Sequence, residues 1–207
     1  MNLSASIRNY LVFQGLLLML VAGCATWHTP APAEGGFVSR GKLGVVAGEE
    51  SFSARYLWQQ DGAAFVIDLW GPLGQGRVQL AGDGTLLELR EGDGTVVDRG
   101  PPAAVMQRHL GWSLPLSVLP QWVRGNPAPG RRVSGREFDD AGRLAAFRQL
   151  GWTVELERYR PVTEPASASA PAADGAAGQA VTVSLPHRIT ARQGDYRVRL
   201  AVSTWQI

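Results

Sequence analysis

The sequence predicts a mainly β protein, built on one curved antiparallel sheet of about ten or eleven strands. Two observations lead to this prediction. Short segments alternate between apolar and polar residues, and Asp-Gly pairs at 61–62, 83–84 and 93–94 lie between or beside them. Asp-Gly supplies the positive φ that tight hairpin turns require, so neighbouring segments are expected to pair antiparallel.

The alternation gives the sheet one apolar face and one polar face. Phe52, Ala54, Tyr56 and Trp58 fall on one side of their segment, whereas Ser51 and its polar neighbours fall on the other. The same pattern recurs at 76–81, 152–157 and 196–202, as expected of an antiparallel sheet that is buried on one side. The predicted strands cover residues 37–47, 51–59, 64–70, 76–81, 85–90, 95–98, 132–138, 143–149, 152–159, 181–192 and 195–205.

The middle of the chain predicts two short helices instead. The first begins at Pro101 and Pro102, residues tolerated in a first helical turn, and ends before Gly111, which is suited to a C-terminal cap. The second is predicted at 118–124, with Ser117 as its cap. Two short helices are little cover for a large apolar face, so we expect a hydrophobic cavity between them and the sheet.

The N-terminus has the pattern of an export signal. Residues 1–23 carry Arg8, no acidic residue and an apolar run at 11–22 that is too short to span a bilayer. The tetrad VAGC ends at Cys24, the only cysteine, and resembles the lipobox of bacterial lipoproteins. That resemblance implies that Cys24 is acylated and becomes the first residue of the mature chain. Ala25 follows it, where Asp would favour retention in the inner membrane, so the expected location is the periplasmic face of the outer membrane.

Two further segments are expected to lack packed structure. Residues 24–36, rich in Pro, Ala and Gly, are interpreted as the acylated N-terminus and a flexible tether. Residues 161–180 contain almost no large apolar side chain and cannot bury enough surface to offset the entropy of ordering. We expect a disordered insertion loop there, inside a single domain at 37–207.

The composition argues against an enzyme and against a nucleic-acid binder. The formal net charge is only +2, and no basic run stands out. The three histidines are scattered without metal-ligand spacing, and the sequence has neither a Gly-x-Ser-x-Gly elbow nor a Gly-rich phosphate loop. We therefore expect no catalytic residues, no metal and no cofactor.

Several motifs together resemble the outer-membrane lipoprotein receptor LolB family. They are GKLGV (41–45), LWQQ (57–60), GPLGQG (71–76), GWSLPLSVLPQWVRGNPAPG (111–130), RQLGWTVELERY (148–159), LPHRI (185–189) and the terminal TWQI. Their joint order spans nearly the whole mature chain, with 161–180 as an apparent insertion. The resemblance implies an incomplete antiparallel β-barrel with a helical lid over a hydrophobic cavity.

The resemblance also implies a function and site residues. Members of the family receive lipoproteins from the periplasmic carrier LolA and insert them into the outer membrane, with no nucleotide site. The family's protruding leucine falls on Leu73, flanked by Pro72 and Gly74. Candidates for lining the cavity, from the resemblance and from the apolar face together, are Tyr56, Trp58, Leu69, Trp122, Trp152, Val154, Leu200 and Trp205. Expected partners are the carrier, acylated client lipoproteins and outer-membrane lipid, and the protein is expected to be a monomer.

Two other classes of protein remain open at this point. A carrier of free phospholipid or glycolipid would share the cavity but would have no protein client. A structural outer-membrane lipoprotein would have a filled core instead of a cavity.

Overall fold

A computed structural model describes residues 36–71, 74, 76–163 and 182–207. The strands in these residues are β1 (Phe37–Ala47), β2 (Glu50–Asp61), β3 (Ala64–Trp70), β4 (Val78–Gly82), β5 (Leu87–Glu91), β6 (Val96–Gly100), β7 (Ser134–Phe138), β8 (Leu144–Gln149), β9 (Trp152–Glu157), β10 (Arg160–Thr163), β11 (Thr182–Leu185), β12 (Arg188–Gln193) and β13 (Tyr196–Gln206). The helices are α1 (Pro102–Leu110) and α2 (Leu119–Val123). Neither helix is long and apolar enough to cross a membrane.

Eleven strands form one antiparallel sheet in the order β6-β5-β4-β3-β2-β1-β13-β12-β9-β8-β7. The first strand therefore pairs with the last, which brings both ends of the described domain to the centre of the sheet. The outermost strands β6 and β7 do not pair with each other, so the sheet curves without closing. The predicted fold class, an incomplete antiparallel barrel of about 11 strands with short helices over it, is confirmed.

The Asp-Gly turns behave in two ways. Gly62 and Gly94 have φ values of 54° and 89°, as predicted for tight turns. The prediction is wrong for Gly84, which is not among the glycines with positive φ. There the Asp83 carboxylate shapes the turn, because it accepts hydrogen bonds from the backbone N–H of Thr85 (2.7 Å) and of Leu86 (2.9 Å).

A bulge at the centre of the sheet turns Trp205 inward. The register between β1 and β13 shifts at Arg40 and Gly41, so Ser203 has no partner residue opposite it. Strict alternation from Val202 would send Trp205 to the outer face, but the extra residue returns its ring to the core. Gly41 permits this close approach, since a Cβ at that position would lie 2.0 Å from the carbonyl oxygen of Ala201.

The pairing of β9 with β12 continues into the pairing of β10 with β11 through a bend, and this bend corrects two predictions. Residues 181–192, predicted as one strand, form β11 and β12 with a break at Pro186, which lacks an N–H. The facing strand breaks at Arg158, whose φ is 58°. β10 and β11 continue the register of the β9–β12 pair beyond the break. Residues 161–163 are therefore strand and not loop, whereas 164–181 lie outside the described residues.

The helices lie close to their predicted positions. α1 ends at Leu110 and is capped by Gly111, as predicted. Gly111 has a φ of 74°, and its N–H donates to the Gln107 carbonyl oxygen. α2 is one residue shorter at each end than predicted. Its cap position is Val118 with no side-chain hydrogen bond, so the cap predicted at Ser117 is wrong.

Candidate functional site

An apolar cavity of about 490 Å³ lies between the sheet and the segment that carries the helices. Its floor is the inner face of β1 to β5 and β13, and its roof comes from α1, residues 112–116 and the start of α2. Aliphatic and aromatic side chains dominate the lining, and its polar groups include Ser53, His109 and the Tyr56 hydroxyl. A cavity of this size and composition is typical of sites for small apolar ligands.

Four of the candidate cavity residues line this cavity: Tyr56, Trp58, Leu69 and Leu200. Tyr56 and Leu69 face each other across β2 and β3, and Leu200 pairs with Leu43 across β13 and β1. Directly opposed residues of antiparallel strands share a face. The inward positions of neighbouring strands therefore build one continuous apolar floor.

The other four candidates, Trp122, Trp152, Val154 and Trp205, do not line the cavity. Trp122 packs edge to face on Phe147, with ring centroids 6.2 Å apart. Trp152 and Val154 lie on the same face of β9, opposite Gln149 and Phe147 of β8, and both are buried. Trp122 belongs to α2, and its contacts with Phe147 and Gln149 hold α2 against β8 in this part of the sheet.

Trp205 lies near the C-terminal end of the central strand β13. Its ring packs edge to face on Phe37, with centroids 5.3 Å apart, and its indole N–H donates to the carbonyl oxygen of Pro186 at 3.2 Å. Phe37 also packs on Trp58, with centroids 5.2 Å apart. This aromatic group is part of the buried core, and its member Trp58 also lines the cavity.

The domain thus has two parts that differ in packing. We call β1 to β6, β13 and α1 the hollow half, and β8, β9, β12 and α2 the filled half. Leu69, Leu80 and Leu200 of the hollow half line the cavity and are partly buried. In the filled half, Phe147 and Val154 are completely buried.

Gln149 of β8 holds α2 and the segment that follows it against the sheet through hydrogen bonds. Its side-chain oxygen accepts hydrogen bonds from the Trp122 indole N–H (2.8 Å) and the Ala128 N–H (2.9 Å). Its side-chain nitrogen donates to the Ala128 carbonyl at 2.9 Å. Because Gln149 is 2% exposed, these bonds form away from water, where an unpaired group would be costly.

The Tyr56 hydroxyl is a polar group in the wall of the cavity. It is buried and has no hydrogen-bond partner among the described residues. Burial raises the pKa of Tyr56 above its usual range, and the neighbouring Ser39 hydroxyl offsets only part of this rise. The two hydroxyls do not reach hydrogen-bond geometry, so Tyr56 remains a neutral, unpaired group in the cavity wall.

The loop after β3 begins at the rim of the cavity. Trp70, Gly71 and Gly76 all belong to the lining, and the Gly74 N–H donates to the Gly71 carbonyl at 2.9 Å. Pro72 and Leu73 lie outside the described residues. The base of the loop is tied together, since Asp68 before it accepts a 2.8 Å hydrogen bond from the Arg77 guanidinium after it.

Residues of the roof were only partly identified from the sequence. Val105, Met106 and Leu110 were recognisable as an apolar stripe on α1, and all three line the cavity. Trp112 also lines it and stacks on Tyr196, with centroids 5.8 Å apart. The leucines at 114 and 116, which line the roof too, lie in a Pro-containing segment without a clear period.

Chemistry other than apolar binding has little support in the described residues. No group of three His, Cys, Asp or Glu side chains there is arranged to hold a metal ion. Burial lowers the pKa of His187, whose ring nitrogen contacts the Leu185 carbonyl at 3.2 Å. Cys24, the predicted lipidation site, lies outside the described residues.

Comparisons with known proteins agree with this architecture. Residues 36–205 match the model of the family described as outer membrane lipoprotein LolB. The outer-membrane lipoprotein LolB of Chromohalobacter salexigens is 34% identical, over 98% of this chain and 94% of the relative. Its counterpart in Stutzerimonas stutzeri is 31% identical over 92% of each chain. That of Marinobacter nauticus is 35% identical over 81% of this chain and 73% of the relative.

The family match covers both helices, the cavity and all the described strands except the last residue of β13. It confirms the resemblance drawn from the sequence motifs. The chain therefore belongs to the outer membrane lipoprotein LolB family.

Proposed function

We propose that this protein is an outer-membrane receptor that accepts lipoproteins from the periplasmic carrier LolA and inserts them into the outer membrane. The observation that carries the proposal is the apolar cavity of about 490 Å³, whose lining offers almost no hydrogen-bonding group. Such a site suits the acyl chains of a client and suits nothing strongly polar. The client's protein part would remain outside the cavity.

The energy of such binding comes from burying hydrocarbon. Each buried methylene contributes about 0.8 kcal/mol, so about ten methylenes contribute about 8 kcal/mol, equivalent to a micromolar Kd. Affinities of this order permit transfer downhill, from the carrier to this cavity and then to the bilayer. Each tenfold step requires only about 1.4 kcal/mol, so no nucleotide hydrolysis is needed.

The cavity rim and the predicted anchor suit a handover at the membrane. Phe52 and Leu110 line the cavity and are also 43% and 42% exposed, so apolar surface reaches its mouth. We propose that Leu73, in the loop that starts at this rim, leads the loop into lipid. Acylated Cys24 would hold the domain at the periplasmic face of the outer membrane, with two or more chains making the anchor stable.

The test is transfer of a labelled lipoprotein, delivered as a carrier complex, into liposomes that bear this protein. Wild type is compared with Leu73→Glu and with Leu150→Glu as a matched control. Leu150 is another turn leucine, 44% exposed, between β8 and β9. We expect wild type and Leu150→Glu to transfer the client, and Leu73→Glu to accept it without inserting it.

The other outcomes separate the alternatives. Equal insertion by all three proteins would remove the role of Leu73 and leave the receptor proposal intact. Absence of transfer by folded wild type, with bare phospholipid or glycolipid bound in its place, would support a lipid carrier without a protein client.

A further inference from the structure

An acidic residue lies on the apolar face of the hollow half. Asp98 of β6 pairs directly with Leu89 of β5, and Leu89 lines the cavity. Directly opposed residues share a face, so Asp98 projects to the inner side of the sheet. The next pair, Glu88 and Arg99, projects to the outer side, where the two residues form a 3.1 Å ion pair.

Asp98 is bound by two successive residues of the last turn of α1. Its carboxylate accepts hydrogen bonds from Nε and Nη2 of Arg108, both at 2.9 Å, and from Nε2 of His109 at 2.8 Å. The Asp98 side chain is 18% exposed, compared with 52% for Arg108. These contacts, with that of Arg108 the largest, hold the pKa of Asp98 below its usual range.

Besides Asp98, α1 is held in place by the burial of two side chains. The helix has nine residues, no side-chain cap at its start and no acidic residue in its first turn. A helix of this length is marginal by itself and depends on tertiary contacts. Val105 and Met106 are its two buried side chains, and both belong to the hydrophobic core and also line the cavity.

His109 connects the ion pair to the cavity, because its ring lines the cavity while its Nε2 binds Asp98. We propose that Asp98 is a latch that holds α1 closed over the cavity, and that its release opens the path for acyl chains. The latch rests on the proposed function in so far as the cavity takes acyl chains. An inward-pointing charge on an edge strand has one other use, which is to prevent edge-to-edge pairing with a second chain.

The experiment compares the full-length wild type with Asp98→Asn and Glu88→Gln. The control removes a carboxylate from the same strand pair, one that also binds arginine but faces away from α1. Hydrogen exchange of residues 102–110 is measured without ligand. The release rate of a fluorescent fatty acid is measured separately.

We expect Asp98→Asn to raise exchange in α1 and to speed release of the fatty acid by about threefold to fivefold, the range that corresponds to one partly exposed ion-pair cluster. Glu88→Gln should leave both quantities at wild-type values. High salt should speed release from wild type and have less effect on Asp98→Asn, because exposed ion pairs are screened. Arg108→Gln should reproduce the effect, and the double variant should add little to it.

Equal α1 exchange in wild type and Asp98→Asn would overturn the latch. So would dimerisation of Asp98→Asn with unchanged release, which would assign Asp98 to protection of the edge. If only the proposed function were wrong, lipoprotein transfer would fail but the exchange difference between wild type and Asp98→Asn would remain, because exchange is measured without ligand.

Discussion

The hollow half and the filled half use the same sheet, the same alternation and a short helix, yet only one of them encloses a cavity. In the filled half, α2 is pulled onto the sheet by Trp122, Phe147 and the buried Gln149. In the hollow half, α1 buries Val105 and Met106 beside the cavity and is bound at its last turn by Asp98 on the edge strand. The difference shows that the position of the roof, more than the character of the floor, decides where empty space remains.

The largest expected effect is in the filled half. Phe147→Ala removes a fully buried ring that contacts Trp122, and should lower the free energy of unfolding by about 3–5 kcal/mol. Leu80→Ala in the hollow half should cost only about 1 kcal/mol, since Leu80 already borders empty space. Urea denaturation of both variants measures the contrast, and equal losses would contradict the division into two halves.

Gln149→Leu tests how the roof of the filled half is attached. The change leaves the Trp122 indole N–H and both backbone groups of Ala128 without their partner, which should cost about 2–4 kcal/mol. Binding of a fluorescent fatty acid by the folded fraction should remain at wild-type affinity. A loss of affinity with unchanged stability would show that the filled half contributes to the site.

Leu69→Trp tests whether the cavity is the binding site. The larger ring would occupy space that is empty in the wild type, so fatty-acid affinity should fall at least tenfold, or about 1.4 kcal/mol, without loss of stability. Ala191→Phe is the matched enlargement in the filled half, where the residue is 5% exposed, and overpacking should cost about 1–3 kcal/mol. Stability is followed by thermal unfolding and affinity by fluorescence titration.

Tyr56→Phe should have the smallest effect and the opposite sign. The hydroxyl is buried without a partner, so its removal should leave stability unchanged or raise it by up to about 1 kcal/mol. The raised pKa means that folded Tyr56 keeps its proton where the unfolded residue loses it. The free energy of unfolding therefore falls as the pH rises above about 10, the usual pKa of tyrosine. The Phe variant should lose less stability there, as measured by unfolding between pH 9 and pH 11.

The strand pattern was predictable because each strand carries its own period. Tyr56 and Trp58 show an inward face from alternation alone, and so do Trp152 and Val154. Nothing in that alternation distinguishes the first pair, which lines the cavity, from the second, which does not. The distinction depends on Gln149, whose bonds to residues 21 and 27 positions away no local pattern reveals.

Two other features escaped sequence reasoning for equally physical reasons. The inward position of Trp205 depends on a bulge at Gly41 that breaks the period of two. Asp98 looked like the end of a short polar strand, and its role emerges only when α1 folds back over β6. Both features are contacts between different elements, whereas period and turn chemistry report only on residues within one element or turn.

The central claim is that acyl chains bind in the hollow half. The most direct measurement is a methyl NMR titration of the protein with a triacylated cysteine lipopeptide, followed by intermolecular NOEs. The account predicts NOEs from the acyl chains to the methyl groups of Leu69, Leu80 and Leu200, which line the cavity, and none to those of Leu156 and Ile189 in the filled half. NOEs to the second set, or saturable binding without any to the first, would contradict it.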